Sequence, residues 1–121
     1  MSNKKKRILV VDDEMTILEI FKAFFEERWE VAIASNGKEA LSKIESENFN
    51  AIILDVGMPT ITGLDICKLA IGEYPGIEKK IILITGYISE ECLNFSKQHK
   101  ILCIQKPVFL NELECTLSKM H

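Results

Sequence analysis

Apolar positions along the chain gather into five short runs: Ile8 to Val11, Val31 to Ala34, Ala51 to Leu54, Ile81 to Ile84 and Ile101 to Ile104. Each is rich in Ile, Val and Leu without strict alternation, which predicts strands covered on both faces, as in a parallel sheet. Between them, apolar residues recur at helical spacing. Ile17, Ile20, Phe21 and Phe24 stand at i, i+3, i+4 and i+7 and predict the inward stripe of a first helix. Asn36-Gly37 predicts a turn, with Ala40, Leu41 and Ile44 following on a second helix. Thr62 is placed to cap a third helix carrying Leu64, Cys67 and Ile71. Ser89 with Glu90 and Glu91 predicts a fourth helix start, because carboxylates there complement the helix dipole. Leu110, Leu113, Leu117 and Met120 mark a last helix, while Met58-Pro59 reads as loop and Trp29 as core packing beside the phenylalanines of the first helix. Strand then helix, five times over, argues for an open α/β fold with right-handed crossovers and a parallel sheet.

Composition narrows the class. The 121 residues are 47% hydrophobic and 27% charged, enough to bury the core of one domain. No apolar run approaches the roughly 20 residues of a membrane-spanning helix. The basic opening, Lys4-Lys5-Lys6-Arg7, leads into an apolar run too short for a signal-peptide core and reads as a solvated segment before the first strand. The expectation is a soluble, cytoplasmic protein. A net charge of −3 gives no reason to expect nucleic acid or an anionic membrane as a partner. Cys67, Cys92, Cys103 and Cys115 lack zinc-ligand spacing and sit among apolar neighbours, so buried reduced thiols are expected. His99 and His121 read as surface residues.

The informative polar residues fall at strand ends. Asp12 and Asp13 follow the first run, Asp55 the third and Thr85 the fourth, and Lys106 stands just past the fifth. Singly, each has an ordinary reading as cap, turn former, strand residue or surface lysine. All five select the carboxyl rim of the sheet, where open α/β folds bind ligands. With strand order 2-1-3-4-5 the first and third strands are neighbours and the three aspartates converge. Like charges at about 4 Å repel by roughly 4 kcal/mol at an effective dielectric of about 20, so some protonate or a cation sits among them. An all-oxygen set suits Mg²⁺, which takes one or two carboxylates, waters and a phosphate oxygen. A phosphate ligand also accounts for the lysine and the hydroxyl, and an aspartate is itself able to carry a phosphoryl group as an acyl phosphate.

Val-Val-Asp-Asp-Glu at 10–14, Leu-Asp-Val-Gly-Met-Pro at 54–59 with Gly63 following, Ile-Thr-Gly at 84–86 and Lys-Pro at 106–107 together resemble the receiver domain of two-component response regulators. The resemblance runs from Arg7 to about Lys119. It implies a single receiver domain over residues 1–121 with no effector domain, in the (βα)5 flavodoxin-like fold with strand order 2-1-3-4-5. It implies Asp55 as phosphoacceptor, Asp13 as a direct Mg²⁺ (or Mn²⁺) ligand, Asp12 acting largely through water, and the backbone carbonyl of Gly57 as a further ligand. Lys106 would pair with phosphoryl oxygens, Thr85 would swing in to meet them, and the Lys106–Pro107 peptide would be cis. The implied donor is a sensor histidine kinase or histidine phosphotransfer protein, with small acyl phosphates as substitutes. The implied output, to a partner the residues do not name, runs through the face formed by helix 4, strand 5 and helix 5. The switch would be a monomer or a phosphorylation-linked dimer, and a module with self-catalysed phosphorylation and autodephosphorylation rather than a turnover enzyme.

The chain departs from the family pattern at several positions. Gly57 and Tyr87 offer no carboxamide or carboxylate to orient a hydrolytic water, which predicts slow autodephosphorylation; free entry of water past Gly57 is the opposite outcome. Gly86 replaces a common alanine, and Cys103 stands where relatives carry a rotating aromatic or histidine. Val108 and Phe109 predict apolar surface near the last helix. Other readings fit less well. A phosphorylation-independent adaptor is opposed by the intact set of five residues. A small Mg²⁺-dependent aspartyl-phosphate phosphatase of the haloacid dehalogenase type would carry its nucleophile after the first strand and need a longer chain. A flavodoxin-like FMN protein would not place Asp12-Asp13-Glu14 against a phosphate.

Overall fold

The computed structural model describes residues 5–120. Its strands are β1 (Lys6–Val11), β2 (Trp29–Ala34), β3 (Ala51–Asp55), β4 (Ile81–Thr85) and β5 (Leu102–Gln105). They form one parallel sheet in the order β2-β1-β3-β4-β5. The helices are α1 (Met15–Phe25), α2 (Gly37–Ser46), α3 (Gly63–Glu73), α4 (Glu90–His99) and α5 (Leu110–Met120), with a short 3-10 helix at Ile77–Lys80 that the apolar spacing did not foretell. Residues of α1 and α5 join the core on one face of the sheet, and residues of α2, α3 and α4 the core on the other. None of the helices among the described residues is long and apolar enough to cross a membrane.

The inner strands bear out the reading from unbroken apolar runs. Ile8 to Val11, Ala51 to Leu54 and Ile81 to Ile84 are all buried, because each strand has neighbours on both edges and helices on both faces. Register keeps their carboxyl ends level: Val11 pairs with Ala34 and with Leu54, Asp55 with Ile84, and Thr85 with Gln105. The chain leaves β1 for β2 on one side and returns past it to β3, so the topological switch point lies between β1 and β3.

Several local expectations shift. The inward stripe of α1 is Leu18, Phe21 and Phe25, packed with the buried Trp29, whereas Ile20 is 49% exposed and Ile17 and Phe24 are half-buried. The helix is apolar over most of its circumference, so periodicity admits overlapping stripes and docking on the sheet selects one. Asn36 is not only a turn former: its side chain accepts the Glu39 N–H and caps α2, while Glu39 accepts the Ser35 N–H in return. Thr62 and Ser89 cap α3 and α4 as expected. Arg7 is half-buried and more than a solvated residue; it pairs with Glu30 and Glu47 and lies over the Phe49 ring, tying β1 to its neighbours. Lys4 and His121 lie outside the described residues. His99 is half-buried and its ring stands 4.4 Å from that of Phe95.

The expectation of strands covered on both faces does not hold at the two sheet edges: in β2 Val31, Ala32 and Ile33 are only half-buried, and β5 departs further. It is an edge strand with Leu102 45% exposed, and α4 above it buries only Cys92 and Ser96. Nor are all four thiols buried. Cys67 and Cys92 are, Cys103 is half-buried, and Cys115 on α5 is exposed; all four are free.

Candidate functional site

The sheet delivers its polar residues to one rim. Asp12 leaves β1, and its backbone N–H donates to the Ala34 carbonyl, which holds the start of the loop against β2. Asp55 and Thr85 are the last residues of β3 and β4 rather than the first of their loops, and both are buried. The Lys106 backbone N–H donates to the Thr85 carbonyl at 2.8 Å, which anchors the lysine beside β4. Lys106 and Pro107 are joined by a cis peptide bond, as expected.

The side chains then converge. Carboxylate oxygens of Asp12, Asp13 and Asp55 all lie within 4.8 Å of one another, Asp13 exposed and the other two buried. Lys106 Nζ stands 3.6 Å from Asp55 Oδ2 and 3.9 Å from Asp12 Oδ2. Each buried carboxylate keeps one oxygen on the backbone and turns the other toward Lys106. Asp12 Oδ1 accepts the Glu14 N–H at 2.9 Å, and Asp55 Oδ1 accepts the Gly57 N–H at 3.0 Å. The lysine does not fully offset the crowding. Burial pushes the Asp12 carboxyl up to about 6, with the Asp55 charge acting the same way against the opposing Glu14 N–H and Lys106. A divalent cation relieves the mutual repulsion of such a set, and the donors, carboxylate oxygens only, match a hard cation.

Thr85 belongs to the rim but its hydroxyl is occupied locally. Oγ1 donates to the Tyr87 carbonyl at 2.8 Å and accepts the Tyr87 N–H at 3.2 Å, while the Tyr87 side chain is 77% exposed. Gly57 is exposed, and a Cβ built on it would lie 3.6 Å from Asp55 Oδ1, so any side chain there would stand over that carboxylate.

A family model described as the response regulator receiver domain matches residues 8–118. The chain belongs to the response regulator receiver family. A CheY-like receiver domain from Methanospirillum hungatei is similar in structure, with a TM-score of 0.84 and 36% identity over 97% of each chain. The response regulator TrrA of Thermotoga maritima, solved in complex with Mg²⁺–BeF, has a TM-score of 0.80 and 37% identity over 96% of this chain and 99% of that one. Among curated proteins, the transcriptional regulatory protein CrdR of Helicobacter pylori is 31% identical over 95% of this chain and 54% of its own length. The chain spans only 27%, 37% and 29% of the length of three further regulators it matches. Receiver domains are phosphorylation-controlled switch modules of two-component systems; they bind Mg²⁺ at an acidic aspartate cluster and work with histidine kinases or phosphotransfer proteins and with output domains.

The receiver's rim also depends on residues the sequence reading gave no role. Gly63, quoted as part of the motif, opens α3 directly behind β3: a Cβ there would meet the Asp55 carbonyl oxygen at 2.4 Å. Its place in the motif, eight residues after Asp55, was the available signal. The backbone N–H groups of Glu14 and Gly57 orient the two carboxylates, and backbone donors carry no side-chain signature in a sequence.

Proposed function

We propose that Asp55 is the phosphoacceptor of this receiver and that the phosphoryl group comes from a histidine of a sensor kinase or phosphotransfer protein, or from a small acyl phosphate. The single observation that carries the reading is the convergence of the Asp12 and Asp13 carboxylates and Lys106 on Asp55. Asp12, Asp13, Asp55 and the Gly57 carbonyl are the groups that would hold Mg²⁺. Bound there, the ion supplies charge neutralisation for phosphoryl oxygens approaching an anionic nucleophile.

The chain's own groups do the rest. Asp55 Oδ2 attacks phosphorus as the bond to the leaving oxygen or nitrogen breaks; with acetyl phosphate the products are an aspartyl phosphate and acetate. The Gly57 N–H holds the other Asp55 oxygen and so aims the attacking one. Lys106 offsets charge on the arriving oxygens. Thr85 exchanges its bonds to Tyr87 for one to the phosphoryl group, which frees the loop after β4 and passes the change to the face made by α4, β5 and α5. The described residues act as one domain, and the reaction ends at the modified protein, so the molecule is a switch and not a turnover enzyme.

Intact mass after incubation with acetyl phosphate and Mg²⁺ tests the reading. The expected result is gain of one phosphoryl group, absent in Asp55→Asn and absent without divalent metal. Gain in Asp55→Asn overturns the assignment of the acceptor; no gain in the wild type, with Mg²⁺ binding established separately, favours the adaptor reading.

A further inference from the structure

The edge that would carry output contains a thiol pair that the phosphoryl chemistry does not use. Cys92, in the first turn of α4, places its Sγ 3.4 Å from Sγ of Cys103 on β5. Both are free thiols, Cys92 fully buried and Cys103 half-buried. Eleven positions separate them in sequence, and they sit on different elements. Cys103 therefore faces α4 and not the rim.

The helix bridged by this pair is weakly held. Its buried side chains are the small residues Cys92 and Ser96, while Leu93 is 40% exposed and Phe95 half-buried between Lys68 and His99. An element with so little apolar burial opens locally at low cost. A covalent bond between its first turn and the adjacent strand removes that freedom.

We propose that Cys92 and Cys103 form a thiol–disulfide modification site whose oxidation by a hydroperoxide tethers α4 to β5. The chemistry balances with one equivalent of peroxide. The more accessible thiol, Cys103, attacks a peroxide oxygen as its thiolate; the O–O bond breaks, giving a sulfenic acid and water from hydrogen peroxide. Cys92 sulfur then attacks the Cys103 sulfur, the S–S bond forms, the S–OH bond breaks, and the hydroxyl leaves as a second water with the Cys92 proton. Two thiols are oxidised by two electrons and the peroxide is reduced by two. Burial and the neighbouring thiol push Cys103 up to about 12, so the closed face reacts slowly and an opened α4 reacts faster. The bond itself requires no phosphorylation. Its effect on signalling rests on the switch reading above.

The test uses the full chain carrying Cys115→Ser, which removes the exposed thiol and leaves the rim untouched. The protein is treated with hydrogen peroxide under native conditions, residual thiols are alkylated, and intact mass, disulfide-linked peptides and amide hydrogen exchange are read before and after a thiol reductant. Expected are loss of two hydrogen masses, a Cys92–Cys103 linked peptide, and exchange of α4 amides slowed by about tenfold on oxidation and restored on reduction. Cys103→Ser, at a half-buried edge position, abolishes the linkage, and so does Cys92→Ser. A bond from Cys67 to either residue, sulfenic or sulfinic products without a linkage, or no oxidation while the unfolded chain does oxidise would each overturn the site. Equal α4 exchange in the oxidised and reduced forms would overturn the tether. None of these readouts involves Asp55, so failure here is separable from failure of the phosphoacceptor assignment.

Discussion

Ile53 on β3 and Ile104 on β5 contribute to the same core, yet the first is 1% exposed and the second only half-buried. The contrast extends along both regions. In β1, β3 and β4 almost every side chain is enclosed; Asp12 directly follows β1, and Asp55 and Thr85 end β3 and β4. At the β5–α4 edge one strand has a single neighbour, and its helix buries two small side chains. The rim that must hold charges within a few ångströms of one another is built on the part that cannot shift. The edge that must respond is built on the part that shifts readily.

Equivalent truncations on the two sides would break this comparison most directly. Ile53→Ala is expected to destabilise the protein by about 3–4 kcal/mol in urea unfolding, since the enclosed site cannot collapse around the cavity. Ile104→Ala, on the same face but at the edge, is expected to cost about 1 kcal/mol. Equal losses would erase the distinction between inner sheet and edge.

Gly63→Ala tests how tightly the inner region is closed. The added carbon collides with the Asp55 backbone, and overpacking of this kind costs about 1–3 kcal/mol. Phosphorylation by acetyl phosphate is expected to fall along with stability, because relief requires α3 and the end of β3 to part.

Asp12→Asn sharpens the electrostatic half of the comparison. The folded state holds the Asp12 carboxyl at about 6, above its ordinary value of 3.8. Between those values the native protein binds the proton more tightly than the unfolded chain, so this group's contribution to stability falls as pH rises through the interval. Above it the ionised carboxylate costs about 3 kcal/mol in the absence of divalent metal. The asparagine variant is therefore expected to be more stable than the wild type by up to about that amount at neutral pH, with no difference below about pH 4. Mg²⁺ should narrow or reverse the order by stabilising the wild type more than the variant, and its affinity for the wild type should weaken as pH falls through about 6.

The smallest effect concerns the open position over the acceptor. Gly57→Asn adds a carboxamide beside Asp55 that is able to orient water, and is expected to shorten the acyl-phosphate lifetime by about tenfold or less. A longer lifetime in the variant would mean that Gly57 works instead as an open path for water.

Much of this molecule is legible in its sequence. Ile8 to Val11, Ala51 to Leu54 and Ile81 to Ile84 are unbroken apolar runs because they are covered on both faces, and burial on both faces is a property of composition alone. Once strands alternate with helices and run parallel, residues after each run must share one rim, so Asp12, Asp13, Asp55, Thr85 and Lys106 could be named together. Caps were readable at Thr62 and Ser89 because a cap acts within three residues.

Only the tertiary structure decided the rest. Whether α1 turns Leu18 and Phe25 inward beside Phe21, or the expected stripe of Ile17, Ile20, Phe21 and Phe24, depends on how an almost wholly apolar helix docks. The upward shift of Asp12 is a sum of burial and charges contributed by three elements, and the fit of Gly63 behind Asp55 is a matter of tenths of an ångström. That Cys92 meets Cys103 follows from the packing of α4 on the sheet edge. Local pattern determines which groups reach the rim, because strand direction and burial are encoded residue by residue. Distances between groups on different elements are set by packing, which no single stretch of sequence contains.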